Sequence, residues 1–415
     1  MKKLKSIFSP RKLVVILLIL TLFFTVPELN KPSMSQTEAI VTMLSVDVID
    51  GKTKITTTVL TPSQDKTSNY QVYTGSGETM GKAVESISHS IGKDMGFAQC
   101  EIMALGENVC KQGVMPVLDY FTRTKKVGRG AVLINFEGDV EEFAQAICDL
   151  SKEKALSLGT IIDFDKQYIL SCDSNTESFY KGYYSKIKTG IMPLIKLEDQ
   201  KKENSIEISG GGGGGASEGG NSGGNNPNSG EDNKKYLVND GTMAVFKEGK
   251  KYLNVSPEHV KRINYFVNNS QKGEITVNNV VDYLYNDASV VVDIIDKKSK
   301  TKVSFDGDTP VFKSEVNLTV FVEQVIDEKP DKEMLRRNED FLTDTLVEKI
   351  KEQVTSEMTE LINYSKENKI DLIDVYKLFN SKQNKKFKEF LSRVGEDDYL
   401  SHVRFETEIK IANEY

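Results

Sequence analysis

Cys100 and His89 come closest to a nucleophile with its base, with eleven residues separating them between a helical and an extended stretch. No carboxylate stands at a spacing that would orient the imidazole, so the thiol reads as packing and the pair gives no catalytic site. Asp163 and Asp165 flank one phenylalanine and would share one side of a strand. Two carboxylates without further oxygen donors make a weak site for a hard cation, and the stretch reads as a surface loop. Arg123, Lys125, Lys126 and Arg129 put four cations into seven residues between a helix and a strand. Such a loop reads first as a solvated turn, with contact to anionic headgroups as the alternative.

The four cysteines (Cys100, Cys110, Cys148 and Cys172) contain no C-x-x-C pair, and His89, His259 and His402 are far apart. Zinc and haem sites therefore find no ligands, and no other cofactor motif is present. One or two disulfides remain open in an exported chain, although the cysteines read first as small buried hydrophobes. The six consecutive glycines of residues 210–215 are flanked by polar coil and not by a strand and a helix, which excludes a phosphate-binding loop.

The elements that would carry these residues belong to a chain of 415 residues, enough for two or three domains with real cores. Net charge is −7, without a long run of either sign, so nucleic acid is not an expected partner. At the N-terminus five basic residues (Lys2, Lys3, Lys5, Arg11 and Lys12) precede the apolar run 13–26. Fourteen helical residues rise about 21 Å, short of the roughly 30 Å hydrocarbon core, which fits a cleaved signal. The lack of small residues around Val26 and Pro27 fits an uncleaved N-in anchor. Both readings place the remainder outside the cytoplasm, and with no cysteine before Cys100, lipid attachment through a lipobox is not expected.

Residues 39–48 and 53–61 read as a hairpin turning at Asp50-Gly51, and Thr79 as the cap of a helix whose stripe is Met80, Ala83, Val84, Ile87 and Ile91. Strands are expected at 101–105 and 131–136, and helices at 113–121 and 140–150. The Gly, Ser and Asn-rich stretch 210–230 is a flexible linker of about 25 Å root-mean-square reach, expected to let two halves reorient. Beyond it come a hairpin at 241–253 with Glu248-Gly249 at its turn and a helix from Pro257. Strand-rich stretches follow at 289–295, 302–306 and 315–327. Leu342, Leu346, Ile350, Val354, Met358 and Leu361 march along a long helix, a second helix covers 372–390, and 402–411 alternates as a closing strand. The expected fold is α+β, with mixed sheets packed by helices in several exported domains. It divides into a signal or anchor segment (1–30), an N-terminal domain (31–209), the linker (210–232), a small middle domain (233–285) and a C-terminal domain (286–415).

The order of these segments resembles the Ger(x)C family, the C subunits of bacterial spore germinant receptors. The resemblance rests on Leu44-Ser-Val-Asp47 with Gly51-Lys52 and Pro62, and on the stretch from Gly77 to Ala83. It continues through Phe97 to Ile102, Leu105-Gly-Glu107 and Gly113 to Arg123, and then through Gly241 to Gly249 and Asp371 to Phe390. The chain departs from the family pattern in lacking a lipobox Cys and any Trp, in placing Gln99 where the pattern has His, and in its long Gly-rich insert. The resemblance implies a non-enzymatic ectodomain on the outer face of the spore inner membrane, assembled with the integral-membrane A and B subunits of a nutrient receptor. It brings no catalytic residue and leaves direct binding of a small germinant open. An envelope-anchored binding or assembly protein of the same fold, serving another membrane complex, is the alternative.

Overall fold

The structure, a computed structural model, describes residues 38–61, 69–154, 174–199, 235–267, 272–326 and 341–413. The apolar run 13–26, Asp163 and Asp165, Cys172 and the Gly-rich stretch lie outside the described residues. No helix among the described residues is long and apolar enough to cross a membrane.

The fold is α+β and is built on two mixed sheets. In the first, β1 (Glu38–Ile49) and β2 (Lys52–Thr61) form the expected hairpin, with Asp50 and Gly51 both at positive φ, as a two-residue turn with the twist of the strands requires. β3 (Asn69–Gly77) extends it, and α1 (Met80–Ile91) follows with Thr79 Oγ1 accepting from Lys82 N at 3.3 Å. Next come β4 (Asp94–Gly96), β5 (Ile102–Gly106), α2 (Glu107–Gln112), α3 (Met115–Asp119), β6 (Val132–Glu137), α4 (Val140–Lys154), α5 (Thr176–Tyr183) and β7 (Thr189–Asp199). The strands β1, β5, β6 and β7 run parallel, so all of them begin at one end of the sheet. Helices α1, α2 and α3 cover one face, with Ile87 and Leu118 in one core with Leu44 and Val46 of β1, and α4 covers the other through Phe143 and Ile147. The alternation of β1 therefore gives way to burial on both faces, as expected for a strand between two helical layers.

The sheet is completed from far along the chain. β8 (Lys235–Val238) pairs antiparallel with β7, and β9 (Met243–Lys247) and β10 (Lys250–Val255) form a hairpin whose β9 also pairs with β7. Within 233–285, where the sequence suggests a small separate domain, the strands thus divide between the two sheets, with β8 to β10 in the first and β11 in the second. Asp199 and Lys235 are ladder partners, so the two ends of the intervening segment meet about 5 Å apart. The connection 200–234, which holds the Gly-rich stretch, thus joins two paired strands of the first sheet, where the sequence suggests a spacer between two halves.

After α6 (Pro257–Asn264) the second sheet runs in the order β11 (Gly273–Val281), β12 (Asn286–Asp306), β13 (Thr309–Ile326) and β14 (Arg404–Asn413). The two strand-rich stretches expected at 289–295 and 302–306 are one strand of 21 residues. The polar residues 296–301 between them remain in the ladder because each pairs with a residue of β13. Helices α7 (Asp344–Glu367), α8 (Val375–Lys382) and α9 (Asn384–Val394) cover one face of this sheet, and the opposite face is a lattice of charges such as Lys313 with Glu408 and Lys410 with Glu315. The single helix expected over 372–390 is broken at Gln383, whose φ of −133° leaves the helical region. The break lets the rings of Phe379 and Phe387 stack at 5.1 Å over the same core.

Candidate functional site

β9 is the joint of the molecule. Its alternation sends Ala244 and Phe246 into the core of the first sheet, where Phe246 meets Phe179 edge-on at 5.5 Å. Met243 and Val245, with Val255 of β10, enter the core of the second sheet beside Ile191 and Leu253. One strand therefore serves two cores on its two faces. Full burial of each such side chain stabilises by about 1.5–3 kcal/mol, so the joint is chiefly hydrophobic.

A polar cleft of about 210 Å³ opens beside this joint. Lys186 and Lys188, just before β7, and Lys247 of β9 line it on one side, and Asp371, Glu396 and Asp397 from the segments around α8 and α9 on the other. Lys186 Nζ lies 2.6 Å from Glu396 and Lys247 Nζ lies 3.2 Å from Asp397. These pairs are largely exposed and hence screened, so they set register and add little strength. Asp371, at the floor, is buried and fully engaged: Oδ1 accepts from Val375 N at 2.9 Å, and Oδ2 from Tyr376 N and Tyr399 Oη, both at 2.7 Å. Burial pushes its carboxyl up while these donors pull it down, with burial the larger effect. Its role is to gather the start of α8 and the Tyr399 turn.

The residues singled out from the sequence are not brought together. Cys100 is buried, donates from Sγ to Ile102 O at 3.2 Å, and is pushed up to about 12 by desolvation, which keeps it a thiol. His89 stands exposed on α1 beside Glu85 at 3.6 Å. Cys110 and Cys148 are likewise buried, and the described cysteines form no bridge among themselves. In the basic loop Arg123 is held by Asp119 at 2.9 Å on α3, Val127 is buried as its anchor, and Lys126 and Arg129 remain exposed. Gln99 is exposed.

Sequence reasoning missed the one convergence of metal-type donors among the described residues. Glu274 of β11, Asp293 of β12 and Glu323 of β13 bring carboxylate oxygens within 4.8 Å of one another across three strands. Asp293, chiefly, holds the Glu323 carboxyl above its ordinary range, as a like charge must. Three carboxylate oxygens are hard donors of the kind calcium and magnesium take, short of the six to eight that calcium requires. Only strand pairing brings them together, so nothing in their spacing could have found them.

Two family models match the chain. One, described as the spore germination protein N-terminal domain, covers residues 35–197, and the other, spore germination B3/GerAC like, C-terminal, covers residues 241–412. The chain belongs to the Ger(x)C family of spore germinant receptor C subunits. Among solved structures it is similar to one titled the crystal structure of the GerBC protein, at 14% sequence identity and a TM-score of 0.45, covering 90% of this chain and 97% of that one. No curated protein matches it. In Ger(x)C terms the joint strand β9 belongs by sequence to the C-terminal family domain and by hydrogen bonding to the sheet of the N-terminal one. The family stretch around Asp47 and Gly106 works in the same structural way, with Asp47 Oδ1 accepting from Val109 N at 3.0 Å and Oδ2 from Asn108 Nδ2 at 3.2 Å. Members of this family are germinant receptor subunits and are not known as enzymes.

Proposed function

We propose that this protein acts without catalysis as the C subunit of a spore germinant receptor, docked through its surfaces on integral-membrane A and B subunits at the outer face of the spore inner membrane. The observation that carries the reading is the match of both family domains, in order, over most of the chain. The chemistry of the described residues agrees with it. Among the buried groups of a reactive type, Asp47, Cys100 and Asp371 are spent on helix starts and strand carbonyls. Such a chain contributes surfaces, and a joint with one strand in two cores presents them in a fixed relation. The apolar run 13–26, behind its basic flank, supplies the tether in this reading.

The test is affinity purification of the tagged full-length protein from detergent-solubilised spore membranes, with mass spectrometry of the co-purifying chains and of its own N-terminus. Recovery of multi-span receptor subunits with a start at Met1 or Lys2 is the expected result. Their absence, with a new N-terminus near residue 30, would overturn both the receptor role and the uncleaved tether.

A further inference from the structure

Against a net charge of −7, two consecutive helices are rich in exposed lysine. Lys377 and Lys382 of α8 and Lys385, Lys386 and Lys388 of α9 are all exposed, while the apolar faces of the two helices are buried through Phe379, Phe387 and Phe390. Lys377 pairs with Asp374 at 2.7 Å, and Lys386 lies 5.8 Å above the ring of Phe305. Lys382, Lys385 and Lys388 have no ion-pair partner among the described residues, and Glu389 is the one acidic side chain within α9. Two of these lysines occupy the first turn of α9, a turn with no acidic residue and no side-chain cap. Cations there oppose the helix dipole, so the arrangement costs the helix stability. A local choice that works against its own element marks a surface kept for a purpose outside the fold.

Three observations say what covers it. The cations are lysines, which act as hydrated point charges, whereas arginine is the residue suited to bidentate recognition of a particular carboxylate. A cluster of such residues on an amphipathic helix matches a diffuse anionic layer. The third is topological. The turn after α9 is tied by Glu396 and Asp397 to Lys186 and Lys247, at the end of the first sheet where β7 begins. That is also the end where β1 begins, so Glu38 lies at the same end of the first sheet as the turn that follows α9.

We infer that the lysine face of α8 and α9 is a docking surface for the anionic headgroups of a bilayer, which sets the orientation of the ectodomain on its membrane. The inference rests on the membrane-side reading above and adds to it the residues that meet the lipid.

The test reads the lysines directly. Full-length protein is mixed with vesicles of phosphatidylcholine alone or with one third phosphatidylglycerol, floated, and pulsed with an amine-acylating reagent at low and high salt, followed by peptide mass spectrometry. Lys52, exposed at the far end of the first sheet, is the internal reference. The expected result is a slowing of acylation at Lys382, Lys385 and Lys388 by about threefold or more, relative to Lys52, on anionic vesicles at low salt, lost at high salt. Flotation on both vesicles with equal acylation at all four lysines overturns this inference and leaves the tether intact. Failure to float on either vesicle overturns both. Protection that appears only when co-purified receptor subunits are present, and never on lipid alone, assigns the face to protein and overturns the lipid reading.

Discussion

Asp47 and Gly106 occupy one another's space. A Cβ built on Gly106 would lie 2.3 Å from Asp47 Cγ and 2.5 Å from Asp47 Cβ, while the carboxylate of Asp47 holds the first turn of α2 through Val109 N. Gly106 has φ of −70°, so its backbone is ordinary and the glycine is required by space alone. Strand β1 and the end of strand β5 thereby come close enough for one aspartate to start a helix on the neighbouring strand.

The Gly106→Ala variant should therefore be more strongly destabilised than Asp47→Ala. Loss of a capping carboxylate costs about 0.5–2 kcal/mol, whereas forcing a carbon into a filled site costs about 1–3 kcal/mol or more. Denaturant melts of the two variants and of the double variant check this. Asp47→Ala should not rescue Gly106→Ala, because the Asp47 Cβ remains in the way.

Replacing residues 200–234 by a short turn should leave the fold intact. Because Asp199 and Lys235 are ladder partners, an eightfold shorter connection is three halvings of a closure cost, a gain of up to about 2 kcal/mol. Thermal unfolding of the shortened protein measures this, and a collapse in soluble yield would show that the segment carries structure of its own.

The two faces of β9 predict one cooperative transition for the whole described body. Phe246→Ala opens the first core and should cost about 3–5 kcal/mol, and Val245→Ala opens the second at a smaller cost. Both should lower a single transition when followed by hydrogen exchange of strands in the two sheets. Separate loss of one sheet would refute the shared joint.

Lys297 gives the pH prediction. It is fully buried on β12, with Nζ donating to Asn264 O at the end of α6 and, at 2.6 Å, to Val267 O just beyond it, and burial lowers it to about 8 from an ordinary 10.5. Between those values the unfolded chain holds a proton that the folded one has released, so stability contributed at this site rises with pH from about 8 to 10.5. Over that window wild type should gain up to about 3 kcal/mol relative to Lys297→Met, as measured by urea melts.

The buried thiols should be silent. Cys100, held at about 12, and Cys110, raised in the same direction by burial, should resist maleimide in the native protein at pH 8 and label fully in denaturant. Rapid native labelling at either position would contradict their burial in the first core.

Much of this molecule was legible in its residues because it is local. The period of Leu346, Ile350, Val354, Met358 and Leu361 defines α7, Thr79 starts α1, and Asp50-Gly51 and Glu248-Gly249 turn two hairpins, since capping, side-chain period and positive φ depend on neighbours a few positions away. The order of these elements with Asp47, Gly106 and Asp371 was enough to point to the family. Pairing between distant strands has no local signature. Only the tertiary structure could place the ends of the connection 200–234 side by side, put β9 into two cores, assemble Glu274, Asp293 and Glu323, or leave the lysines of two short helices exposed over a buried apolar face. Those relations come from burial of apolar surface summed over the whole chain, a quantity no stretch of residues carries by itself.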